Sequence, residues 1–263
     1  AVFCLERGNS VWLCVAFTMI FVNWYDSPKK QERAAAILSL AIAAAIKIYP
    51  AAFGLLLIRH KKWKEALEAI IAGVLVMFVP FLFFTKENRS VTLWISNIIN
   101  CNKEFQNIGL GLKLNLSNTM QFFEELWGVG LSGFTTVLTI AILVFDCVMV
   151  AFNQKLDEWK AIALLSLLMI LIPGFSWTYT MLFIIIPVII FLGKDNSYKK
   201  DYIYLVLFIL CLALFPPCEQ FQAFNKINDG VGYRLGWTTL IESLSLVLLQ
   251  IGIAVDCLKK EKD

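Results

Sequence analysis

Residues 161–192 read AIALLSLLMILIPGFSWTYTMLFIIIPVIIFL, an apolar run without a charged residue and with one interruption, Pro173-Gly174-Phe175-Ser176-Trp177-Thr178-Tyr179-Thr180. An α-helix needs about 20 apolar residues to cross a hydrocarbon core of about 30 Å. The flanks, Asn153–Lys160 and Gly193–Lys200, are short and basic, and the positive-inside rule assigns both to the cytoplasm. A segment with both ends on one side must turn back within the membrane. Proline removes a helix donor and pushes its predecessor out of the α region, so the turn belongs at Pro173-Gly174. Trp177 and Tyr179 suit an apex near the outer interface.

The same reasoning applies to Ala34–Ile58. Lys29, Lys30 and Arg33 precede it, and Arg59-His60-Lys61-Lys62-Trp63-Lys64 follows. Its only interruption is Lys47-Ile48-Tyr49-Pro50, which predicts a second pair of short, tilted half-spans meeting at an outward apex. Single crossings are expected at 11–25, 66–84, 131–152, 202–217 and 237–257. Together these predict an all-α, polytopic transmembrane bundle of about nine crossings with two broken double spans. The N-terminus lies outside and the C-terminal Lys259-Lys260-Glu261-Lys262-Asp263 inside. Runs such as FIIIPVIIFL do not alternate, which excludes a transmembrane barrel.

Composition agrees: 59% of the 263 residues are hydrophobic and 16% charged, against about a quarter charged in soluble domains. Residues 1–263 read as one transmembrane domain with an external loop at about 85–130. That loop carries amphipathic stretches near 93–99 and 116–126, expected to lie on the membrane surface. Its two sequons, Asn88-Arg89-Ser90 and Asn115-Leu116-Ser117, are treated as chance matches. A net charge of +3 gives no reason to invoke nucleic acid. The seven cysteines form no C-x-x-C pair and read as small buried hydrophobes. No hydrolase, nucleotide-binding or metal motif is present, no cofactor is evident, and the sole histidine, His60, sits in a basic loop.

Polar residues at or near membrane depth are costly and therefore informative. Glu6-Arg7-Gly8-Asn9 precedes the first span, where Arg7 offers a donor fork suited to phosphate or carboxylate. An ordinary polar helix start with an internal Glu–Arg pair is the plainer reading. Lys47, with Tyr49, either snorkels to the outer interface or binds an anion. Ser176, Trp177 and Tyr179 line a sugar or headgroup site, or simply form part of an aromatic belt. Asp146, deep in Leu131–Phe152, calls for a cation from another helix or a polar cavity.

Leu5-Glu6-Arg7-Gly8-Asn9, followed by Ala44-Ala45-Ile46-Lys47-Ile48-Tyr49-Pro50 and the basic stretch Lys61-Lys62-Trp63-Lys64-Glu65-Ala66, resembles glycosyltransferase family 87. These are GT-C-type membrane enzymes related to polyprenyl-phosphate-mannose-dependent mannosyltransferases. Pro173–Tyr179 resembles the family's S-W-x-H apex, with Tyr179 standing where histidine is expected. The resemblance covers roughly residues 3–192. It implies transfer of a hexose, mannose, from a polyprenyl-phosphate carrier to a glycan or glycolipid acceptor on the outward face of a bacterial plasma membrane. It also implies that Lys47 holds the carrier phosphate with help from Arg7, and that Glu6 and Asn9 shape the pocket. Tyr49, Trp177 and Tyr179 would line it. The family's catalytic base lies in a first external loop, which would precede Ala1 and make this chain the C-terminal part of a longer one; Glu6 is the alternative base. Rival readings are a transporter or lipid-carrier flippase, for which Asp146 and the broken spans argue, and an inactive, truncated relative.

Overall fold

The computed structural model describes residues 10–83, 91–105, 113–174, 176–194, 199–212 and 237–259. Among these residues the regular structure is helical, with no strand and one isolated β-bridge, Lys113 to Trp177. The all-α expectation therefore holds for the described chain. Among the described residues, three helical segments are long and apolar enough to cross a membrane: Trp63–Phe83, Ser132–Phe152 and Leu240–Leu258. The chain divides into two compact units, one formed by residues 1–101 with 150–155 and the other by residues 102–149 with 156–263.

In the first unit, α1 (Val11–Trp24) packs antiparallel against α2 (Lys30–Ile46). The contact is close because α2 is rich in alanine: Ala36, Ala41, Ala43 and Ala44 are all buried in it. After Ile46 the backbone opens to an extended Lys47 and returns through a 3-10 turn, Tyr49–Gly54, and α3 (Leu55–Arg59). Pro50 stands at the start of that turn, where its missing N–H costs no helix bond. Phe21, Phe53, Leu56 and Leu57 are the buried core of this hairpin.

The expected turn-back is visible in how the hairpin closes. Asp26, after α1, pairs with Lys62, after α3, at 2.6 Å, and Lys62 Nζ also donates to Tyr25 O at 3.1 Å. Both ends of Ala34–Ile58 therefore lie at one end of the unit. With a rise of about 1.5 Å per residue, the 17 residues of α2 reach about 25 Å, short of a full hydrocarbon core. Next comes α4 (Trp63–Phe78), which continues as a 3-10 turn to Phe83. Only Ala69 of α4 is buried, while Leu67, Ile70, Ile71, Val74 and Leu75 are exposed, a helix surface suited to lipid. A further helix, α5, spans Val91–Phe105.

The second unit is built around α8 (Glu158–Leu171), buried continuously from Trp159 to Leu171. An apolar surface all round is what a central helix requires. Its return limb is a 3-10 turn, Thr178–Ile184, running into α9 (Ile185–Gly193). Lys194, after α9, reaches Asp157, the N-cap of α8, at 3.3 Å. Here too the ends of the hairpin are pinned together. Around it stand α6 (Leu116–Trp127), α7 (Ser132–Phe152), α10 (Lys199–Leu212) and α11 (Trp237–Leu258). Tyr204 of α10 presses its ring on Gly252 of α11, where an added Cβ would lie 3.2 Å from the ring.

The stretch expected at the membrane surface, residues 116–126, also packs on protein: Leu116 and Phe122 are buried, and α6 contacts α11.

Candidate functional site

At the apex of the first unit, Lys47 ends α2 with φ −145° and ψ 126°, which carries its side chain out of the helical register. Its Nζ lies 5.8 Å from the centre of the Tyr49 ring, within cation–π range. Both residues are half-buried, whereas Ile48 between them is exposed. Cys14 Sγ contacts Ala43 O at 3.8 Å, so the first turns of α1 lie beside the last turn of α2. Glu6, Arg7 and Asn9 lie outside the described residues.

The apex of the second unit is tied down by residues 113–118, which cross it as a strap. Lys113 pairs with Trp177 in the β-bridge, and Leu114 N donates to Ser176 O at 2.7 Å. Asn115 Nδ2 donates to Pro173 O at 3.1 Å, while its Oδ1 accepts from Asn118 N at 2.9 Å and caps α6. Asn118 Nδ2 returns a bond to Lys113 O at 2.9 Å. Lys113, Asn115 and Asn118 are all buried. An N-cap asparagine before a helical run was the one sequence signal for this arrangement. Both polar atoms of the Asn115 side chain are thereby engaged.

Within that apex, Trp177 and Tyr179 are half-buried at the start of the 3-10 turn. Ser176 is buried, and its hydroxyl lies 2.8 Å from that of Thr180, which itself donates to Trp177 O at 2.7 Å. The serine is thus committed to holding the turn. Of the residues singled out in the sequence, the structure brings Lys47 together with Tyr49 in one unit and places Trp177 and Tyr179 together in the other.

Two buried polar pairs complete the picture. Asp146 meets no cation among the described residues; Gln250 Nε2 donates to its Oδ1 at 2.6 Å. The expectation of a cationic partner is therefore replaced by an amide 104 residues away. Lys160, at the start of α8, pairs with Asp256 at 2.9 Å, and Tyr204 Oη donates to the same carboxylate oxygen at 2.8 Å.

A described chain that is all-helical, with membrane-length apolar helices and a lysine at the apex of an apolar hairpin, is the class that fold and site define. The sequence model of glycosyltransferase family 87 matches residues 8–173. That is more than half of the chain, which therefore belongs to glycosyltransferase family 87. No curated protein and no solved structure matches it.

Proposed function

We propose that this family member moves a hexose, mannose, from a polyprenyl-phosphate carrier to a glycan or glycolipid acceptor on the outer face of a bacterial plasma membrane, within a GT-C-type domain of about nine crossings. The observation that carries this reading is Lys47. It is the only charged residue between Ala34 and Ile58, and it stands at the apex of that hairpin beside Tyr49. Departure of a sugar from a phosphate leaves negative charge on the carrier. A fixed cation in a partly dry site stabilises that charge more in the transition state than in the ground state.

In this reading Lys47 holds the carrier phosphate and Arg7 assists it. Glu6 and Asn9 shape the sugar or acceptor pocket, with Tyr49, Trp177 and Tyr179 as lining residues. A carboxylate must take the acceptor proton, and Glu6 is the candidate within this chain.

The test is transfer from mannosyl polyprenyl phosphate in proteoliposomes. Lys47→Ala should lower turnover by about 10²–10³-fold, the scale of losing one oxyanion donor, with expression retained. Unchanged turnover would remove the phosphate role.

A further inference from the structure

Asp146 lies on α7 and Gln250 on α11, both within apolar helices of the second unit, with exposures of 0% and 4%. One hydrogen bond joins them, from Gln250 Nε2 to Asp146 Oδ1 at 2.6 Å. The second oxygen of each group, Asp146 Oδ2 and Gln250 Oε1, is buried and has no partner. With an ionised carboxylate this arrangement is poor. A charge would sit between membrane helices with no cation beside it among the described residues, and two acceptors would lack a donor. The buried hydroxyls of Ser166 and Ser243 donate to neither oxygen.

One proton resolves all of this. A protonated aspartic acid has an O–H donor on one oxygen and an acceptor on the other, and a primary amide has the complementary N–H and C=O. We propose that Asp146 and Gln250 form a proton-binding site inside the membrane. In it the carboxyl carries its proton on Oδ2 and donates to Gln250 Oε1, while Gln250 Nε2 donates to Oδ1. The two planar groups then close a ring with two hydrogen bonds. Every polar atom of the pair is used, and α7 is held to α11 in a fixed register without burying a charge. The site takes a proton; a metal cation bridging the two oxygens would require the carboxylate to be ionised.

Infrared spectroscopy of the full chain in lipid nanodiscs at neutral pH tests the assignment. The expected result is a C=O stretch of a protonated carboxylic acid that shifts down on labelling aspartate with ¹³C at the side-chain carboxyl. Asp146→Asn should abolish the band. Gln250→Leu, which takes away the acceptor, should move it to higher frequency. Should the asparagine variant fail to fold, the labelled wild type and Gln250→Leu still decide. Absence of an aspartic-acid band at neutral pH, including a carboxylate that appears only with bound cation, overturns the proposal. So does a band unmoved by the substitutions.

Discussion

Lys160 Nζ and Asp256 Oδ2 lie 2.9 Å apart and join the first turn of α8 to the last turns of α11, with Tyr204 Oη sharing the same oxygen. Both side chains are about nine-tenths buried, at 9% and 11% exposure. Trp159 and Tyr204 flank the ammonium, with ring centres 5.7 Å and 6.0 Å away. The pair sits where the central helix of the second unit meets two of its neighbours.

Breaking a buried ion pair by removing one partner costs about 3–5 kcal/mol, because the other charge is left uncompensated. Asp256→Ala leaves Lys160 with only the longer contact to Asp157, at 3.6 Å, and should lower the thermal midpoint of the purified protein by part of that cost. Lys160→Met combined with Asp256→Leu should recover most of that loss. A double variant no more stable than the single one would show that the charges themselves, and not their mismatch, are needed.

Asn115 should be the residue on which the strap depends. Asn115→Ala removes the cap of α6 and the bond to Pro173 O, a loss of about 1–2 kcal/mol from the cap. Asn115→Asp keeps the acceptor and loses only the donor. Limited proteolysis of the two variants should cut the alanine form faster near residues 113–118.

Lys61 has φ 57°, the left-handed conformation that disfavours side chains. It occupies the position after the cap of α3, where Lys61 N bonds Ile58 O and Lys62 N bonds Leu57 O, a Schellman ending that glycine usually supplies. Lys61→Gly should raise stability by up to about 1 kcal/mol, read as a higher unfolding midpoint. A lower midpoint would mean that the lysine side chain contributes more than its backbone costs.

In the first turn of α2, the hydrogen bond from Lys29, and then that from Ser27, hold the Glu32 carboxyl below the ordinary carboxylate range. A depressed folded-state value contributes stability above the ordinary range, lost as pH falls through the lowered value. The side chain is partly exposed, so the effect should be small and should fade with salt. Comparing wild type with Glu32→Gln in unfolding at mildly acidic pH, at low and high salt, checks both statements.

The two hairpins were legible because each break combines proline with a change in polarity, at Lys47–Pro50 and Pro173–Thr180, and because basic loops flank them. Asp26–Lys62 and Asp157–Lys194 then show the limbs returning to their starting ends. The strap was not legible. Lys113, Asn115 and Asn118 look like surface residues, yet they are buried against backbone carbonyls such as Pro173 O, and nothing in the side chains records those partners. Asp146 was recognisable as anomalous, but its partner lay on a distant helix and was uncharged. The Lys160–Asp256 pair was hidden because each residue sits in an apparently ordinary charged helix end.

The limbs of these hairpins bear on how the protein is made. A limb of 14 residues, as in α8, is too short to be accepted across the bilayer alone. In the proposed topology the smallest unit that can enter the bilayer is then the whole hairpin, with its two ends held together by Lys194 and Asp157.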